Sequence, residues 1–294
     1  MGFPDISTID FDNIQVVSVP KKLRDIAELY RARNFTEADP LLAAFKKQPR
    51  QKAAIKAQLA FFSCDFGSAI EHIMEYYAYL GEWYTGNMWS QTAMILSYAL
   101  IRSKSQNIAN DCTEYLKRLY ESLSEEQLEN KSLRYLTFIP QILDRANGKL
   151  DLTNKYSPPD TAKSCGELFD GYAKYHKKQL AALNCPPEED PHTASDMLIL
   201  IDSSGSTDDF LKLYEMHCKS PELRDWAHIK AARIYMYLGK NDRAAEALLD
   251  YATLGWRPLQ YTDIMPMSML DAEDLFPLIS DEMLKKIYFE PMKV

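Results

Sequence analysis

Glycine is scarce in this chain: 10 in 294 residues, roughly half of average usage. Turns that need positive φ are therefore few, which favours helices over hairpins of strands. Long apolar runs are absent as well. None approaches the roughly 20 residues that span a bilayer, so no transmembrane helix is expected. The first residues, MGFPDISTIDFDNIQVVSVP, lack a basic n-region and a continuous apolar core, so they do not read as a secretory signal. The five cysteines (Cys64, Cys112, Cys165, Cys185, Cys218) are odd in number and widely spaced. They form no Cys-x-x-Cys pair and no disulfide framework. A reducing, cytoplasmic setting is expected.

Clustered basic charge is also missing. The net charge is −8, and all of the excess lies in the second half. Residues 186–225 hold 10 acidic and 3 basic residues, and residues 258–284 hold 6 acidic and none basic. Nucleic acid is disfavoured as a partner, because phosphate contacts need clustered Lys and Arg. An acidic face suits a basic partner instead.

What is present is helical periodicity. Leu23, Ile26, Ala27 and Tyr30 follow i, i+3, i+4, i+7, the stripe of an amphipathic helix. Ile70, Ile73, Met74 and Tyr77 repeat it, as do Cys112, Tyr115, Leu116 and Leu119. Ile95, Tyr98, Ala99 and Ile101, then Leu168, Tyr172 and Tyr175, and finally Ile229, Ala232, Ile234 and Tyr235, mark further helices. Short breaks at residues 104–107, 147–148, 158–159, 184–187 and 238–242 make consecutive helices antiparallel neighbours. The expected fold class is all-α.

Sequence alone suggests a candidate metal motif at LILIDSSGSTDDF. Asp202-Ser203-Ser204-Gly205-Ser206 is similar to the Asp-x-Ser-x-Ser site of von Willebrand factor A domains. That site needs a buried parallel strand before it and two further strand-end loops after it. The 88 residues after Ser206 contain no such strands. A helix–loop–helix accounts for each residue: Thr193-x-x-Asp196 as a capping box, Gly205 past a C-cap, and Ser206 or Thr207 as the next N-cap. Asp208 and Asp209 then sit in a first turn.

Catalytic apparatus is absent from the sequence. Glu71, His72 and Glu75 have the spacing of a carboxylate-bundle ligand set, with no partner helix to complete it. His217 and Cys218 are adjacent and therefore on different helix faces. No phosphate loop, zinc spacing or nucleophile elbow occurs. No cofactor and no metal are expected. The densest aromatic run, YYAYLGEWYTGNMW (76–89), is expected to fill the core between repeats with most of its rings, and a loop carrying Trp83 and Tyr84 is its aromatic patch for a partner.

Two family likenesses follow from these residues. AARIYMYLGKNDRAAEALLDYATLGWRP (231–258), with Tyr235, Gly239, Ala244, Leu248 and Pro258 in order, resembles a tetratricopeptide repeat. Residues 57–77 are similar, with Asp65-Phe66 in the turn and Ala69 at the close crossing. Residues 29–45 are a third candidate, departing from the pattern because Pro40 is expected at a first helical turn with Asp39 as N-cap. The likeness implies an α-solenoid of stacked antiparallel hairpins. Residues 1–20 would be an N-terminal extension, 21–256 the repeat domain, and 257–294 a proline-rich cap on that same domain.

A solitary, acidic, Tyr-rich helical-repeat chain also resembles the immunity proteins of bacterial toxin systems. That likeness implies a non-catalytic protein-binding module whose partner is a basic toxin domain. Glu188, Glu189, Asp190, Asp208, Asp209, Trp83 and Tyr84 would be its contact residues. A scaffold or chaperone adaptor with several weaker partners is the alternative.

Overall fold

In the computed structural model the described residues are 3, 5–11, 15–77, 82–84, 89–129, 136–147, 189–256, 258 and 261–291. Their regular structure is helical apart from one short strand pair. The chain folds as two compact units. The first comprises Met1–Asp151, Pro258–Asp271 and Asp281–Pro291; the second comprises Leu152–Arg257, Ala272–Ser280 and Met292–Val294.

The first unit contains α1 (Lys21–Arg31), α2 (Phe35–Ala44), α3 (Pro49–Phe62), α4 (Phe66–Tyr77), α5 (Trp89–Arg102), α6 (Gln106–Glu121), α7 (Glu125–Glu129) and α8 (Ile139–Ala146). The stripes read from sequence are its core: Leu23, Ile26, Ala27 and Tyr30 are buried, as are Ile70, Ile73, Met74 and Tyr77. Ile101 is an exception, since it faces outward at 45% exposure while Tyr98 and Ala99 face in. Tyr76 and Tyr77 of the aromatic run fill the core. Trp83 and Tyr84, expected in a loop, lie in strand β2 (Glu82–Tyr84), which pairs in parallel with β1 (Gln15–Val17). The side chains of these two residues lie outside the described residues. The pairing joins segments 67 positions apart (Gln15 with Glu82), which no local pattern reveals.

One turn recurs. Arg33, Cys64 and Gly239 all have left-handed φ (60°, 65° and 71°), and each ends a helix. In each case its own N–H donates three residues back, and the next N–H donates five residues back. The longer bonds are Asn34 to Leu29 O (2.9 Å), Asp65 to Ala60 O (2.8 Å) and Lys240 to Tyr235 O (2.8 Å). This is the Schellman closure of a helix C-terminus. Five residues after the left-handed residue comes an alanine in every case: Ala38, Ala69 and Ala244, all fully buried. A side chain of one methyl lets the two helices of the hairpin cross closely. Ala69→Leu is expected to cost about 1–3 kcal/mol by overpacking, read as a lower urea midpoint.

Two expectations fail here. Pro40 is inside α2, which begins at Phe35 with Asn34 as N-cap. The recurrent turn fixes that earlier start, and Asp39 instead accepts the Tyr30 hydroxyl at 2.9 Å. Arginine at a left-handed position costs about 1 kcal/mol, and its side chain explains its place. The Arg33 guanidinium donates to Ile287 O (2.8 Å) and Glu290 O (3.0 Å) at the end of α13 (Asp281–Phe289). A cation is favoured at a helix C-terminus.

Residues 261–265 are held on the first unit by side chains that read main chain. Arg31 donates to Asp263 O (2.6 Å) and Tyr261 O (2.9 Å). Gln58 donates to Thr262 O (3.1 Å) and accepts from the Ile264 N–H (2.9 Å). The tail continues in 3-10 turns at Met267–Asp271 and Glu273–Leu278 and in α13.

The second unit contains α9 (Pro191–Ser204), α10 (Thr207–His217), α11 (Asp225–Tyr237) and α12 (Asn241–Asp250), each packed on the next. Residues 273–278 pack on α11 and α12. Phe210 occupies the position that alanine takes in the other hairpins, and its ring meets Trp226 edge-on at 6.1 Å.

Candidate functional site

The stretch LILIDSSGSTDDF is a helix, a turn and a helix. Asp202 lies in the last turn of α9 and pairs with Lys230 at 2.6 Å. Gly205 is left-handed at φ 77°, and Ser206 is the N-cap of α10, its hydroxyl donating to Asp209 at 2.6 Å. The strand that an A-domain metal site requires is thus a helix. The start of α9 corrects the expected capping box. Asp190 is the N-cap, accepting both the Thr193 N–H (2.7 Å) and its hydroxyl (2.6 Å), with Pro191 at the first helical position. Asp-Pro ahead of an apolar stripe is the stronger start signal.

The acidic residues singled out from sequence fall in two places. Asp190 is committed to its cap, whose two bonds hold its carboxyl below the usual carboxylate range. Glu189 beside it is exposed, and Glu188 lies outside the described residues. Asp208 and Asp209 are exposed in the first turn of α10. The 14-residue α9 separates the two groups, and at 1.5 Å rise per residue that is about 20 Å. They do not form one patch.

A different cluster is brought together by α10, α11 and α12. It alternates in charge across three elements. The Tyr235 hydroxyl donates to Glu215 (2.6 Å), and Arg243 reaches Glu215 (3.2 Å) and Glu246 (3.2 Å). Lys219, in the turn after α10, donates to Glu246 (3.1 Å) and to both Asp250 oxygens (2.7 and 2.8 Å). The Arg243 guanidinium also lies over the Tyr235 ring, 5.6 Å from its centroid. These bonds shape the acid–base behaviour. The Tyr235 bond, then Arg243, holds Glu215 below its ordinary value, and Lys219 does the same for Glu246. Burial, reinforced by the Glu215 bond, pushes Tyr235 up to about 12.

Tyr214, Cys218, Tyr235, Arg243, Glu246, Ala247 and Asp250 line a cleft of about 20 Å³, the room of a single water. Behind it, the Tyr214 hydroxyl and His228 Nδ1 are 3.0 Å apart in the core. Burial, with Lys219 nearby, lowers His228 to about 4. Burial and Asp250 raise the Cys218 thiol, so its nucleophilic thiolate form is scarce. The cleft is built to hold charge. Arg243, Glu246 and Asp250 recur at i, i+3, i+7, one face of α12, a spacing visible in sequence; their pairing with Glu215 and Lys219 is not.

Among the described residues, no group of three His, Cys, Asp or Glu is placed to hold a metal ion. His72 meets Glu75 at 3.1 Å on the same helix. No described helix is long and apolar enough to cross a membrane. No family model, curated protein or solved structure matches this chain.

Proposed function

We propose that this protein is a non-catalytic binding module for a basic protein partner. In its narrowest form it is an immunity protein that neutralises a toxin domain by occupying it. The observation that carries this reading is the charge of the first hairpin of the second unit. Of the seven acidic residues in 189–217, Asp190 is engaged in its cap and Asp196, Asp202 and Glu215 in ion pairs, while Glu189 at one end and Asp208 and Asp209 at the other point to solvent. The recurrent hairpin of Arg33, Cys64 and Gly239 supports a tetratricopeptide-like repeat ancestry, and stacks of that kind commonly bind protein in a groove.

Tagged purification with neighbouring genes co-expressed, followed by a high-salt wash and mass spectrometry, tests it. One stoichiometric basic partner that survives the wash is the expected result. Several partners lost in salt would make the protein a scaffold or chaperone adaptor. With the partner in hand, Asp208→Lys with Asp209→Lys is expected to slow association and flatten its salt dependence. Both residues also favour the N-terminus of α10, so reversal costs stability by about 0.3–1 kcal/mol each. The association rate measured against ionic strength separates the two effects.

A further inference from the structure

We propose that the N-terminal segment, from Phe3 to β1, is a displaceable occupant of a peptide seat on the first unit. The seat takes an extended apolar segment of the same pattern from a partner protein. It concerns the first unit alone and stands apart from the acidic residues of the second, so either reading can fail without the other.

The segment lies on the unit by one side. Phe3, Ile6 and Ile9 are half-buried and Phe11 is buried, while Asp5, Ser7, Thr8 and Asp10 are exposed. Its 3-10 turn at Ile6–Thr8 is closed by its own groups. Asp5 accepts the Ser7 N–H (3.0 Å) and hydroxyl (2.8 Å), and the Thr8 hydroxyl donates to Asp5 O (2.7 Å). At that turn the segment therefore offers the unit apolar surface. Further on, Gln15–Val17 adds to β2 in parallel. A strand added to an edge, with side chains seated beside it, is a general mode of peptide recognition.

Two observations mark the segment as able to leave. The chain is pinned just behind it: Gln48 donates to Ser18 O (2.6 Å), the Arg24 guanidinium donates to Val19 O (3.2 Å), and Pro20 is the N-cap of α1. Release ahead of Ser18 thus leaves α1 in place. The second lies beneath Phe3, whose ring meets Tyr115 of α6 at 5.2 Å between centroids. Tyr115 is 1% exposed, and among the described residues its hydroxyl has no hydrogen-bond partner. A hydroxyl left so opposes its own burial, and uncovering it restores a bond to water. A tethered segment also competes through its effective concentration, millimolar for a short flexible tether. The seat is closed to weak ligands and open to a segment that fits better, above all one that brings an acceptor to Tyr115.

The probe is the segment itself: a fluorescently labelled synthetic peptide of residues 2–18, added to the full chain and followed by anisotropy. Phe3→Ala with Ile6→Ser in the protein loosens the tethered copy and is expected to lower the apparent Kd about ten-fold, as the competent fraction rises. The same two changes placed in the peptide should raise it about ten-fold, because the same apolar contacts are lost. In the unaltered protein, saturating peptide is expected to speed amide exchange of the tethered segment. Fragments that run past Val19 read that copy alone. Exchange in β2 should stay as it was, since one strand replaces another.

Equal binding by the two proteins, equal binding of a scrambled peptide, or unchanged exchange in the tethered segment would each overturn the seat. The exchange readout needs no substitution, so a variant that misfolds does not spare the proposal. A dimer on size exclusion that the peptide converts to monomer would overturn the tethered occupancy, giving the seat to the arm of a second copy.

Discussion

Arg31→Ala is expected to destabilise the first unit by about 3 kcal/mol, the scale of two charge-assisted hydrogen bonds lost from a buried site. Arg31 is 3% exposed. Its guanidinium holds the carbonyls of Asp263 and Tyr261 and pairs with Glu28. Alanine removes the guanidinium from both carbonyls, one buried and one part-buried, and the packed stem as well. For a unit of this size the loss corresponds to a fall in Tm of about 10 °C. Hydrogen exchange in α1 and α3 isolates the effect, because two units need not melt together. Arg31→Lys keeps the charge and loses the fork, so it should fall between. A change below about 0.5 kcal/mol, the level of an ordinary surface substitution, would mean that the tail is held by apolar contacts alone.

The second large effect is a pH dependence of the second unit. His228 has no exposed surface, and burial lowers it from 6.5 to about 4. Between those values the unfolded chain binds a proton that the folded chain refuses. Stability from this residue is therefore complete above about pH 6.5 and is lost as pH falls toward 4, by about 3 kcal/mol in all. Lys219 adds to the depression, and the Tyr214 hydroxyl occupies Nδ1. Glu215 and Glu246, both held below their ordinary value by their hydrogen-bond partners, keep their charge in the folded unit to lower pH than a free glutamate, so what they contribute is lost only on further acidification. The double variant Tyr214→Phe/His228→Phe removes both polar partners without orphaning either, so it should fold well. Urea unfolding at steps from pH 7 to 4 is expected to show a shallower slope in the variant. Parallel slopes would mean that His228 is protonated without unfolding.

The legible part of this fold was the part governed by neighbours in sequence. Leu23, Ile26, Ala27 and Tyr30 announce a buried face because a helix repeats every 3.6 residues, and Ala69 and Ala244 announce close crossings because only a small side chain fits there. Local chemistry was also misread where two signals competed. Thr193-x-x-Asp196 satisfied a capping pattern, yet Asp190-Pro191, three residues earlier, starts the helix. Pro40 suggested a first turn, but the left-handed Arg33 had already ended α1 and set α2 in motion at Phe35. The β1–β2 pairing and the binding of residues 261–265 by Arg31 and Gln58 join segments far apart in the chain. The same holds for the candidate site. Runs of acid suggested Glu189 and Asp208 as one surface, whereas helix length separates them. The cleft is made by Glu215, Lys219, Arg243, Glu246 and Asp250, which only packing gathers.

The order in which a ribosome releases the chain gives the strap at residues 261–265 another meaning. Helices α1 and α3 emerge early, but the main chain that satisfies Arg31 and Gln58 follows some 200 residues later (Gln58 to Thr262 spans 204). At about 5–20 residues per second, the nascent first unit waits about 10–40 s with polar groups and an apolar surface uncovered. During that interval it is a client for any holding factor near the exit tunnel, and a stalled chain that stops before Tyr261 is a candidate for degradation.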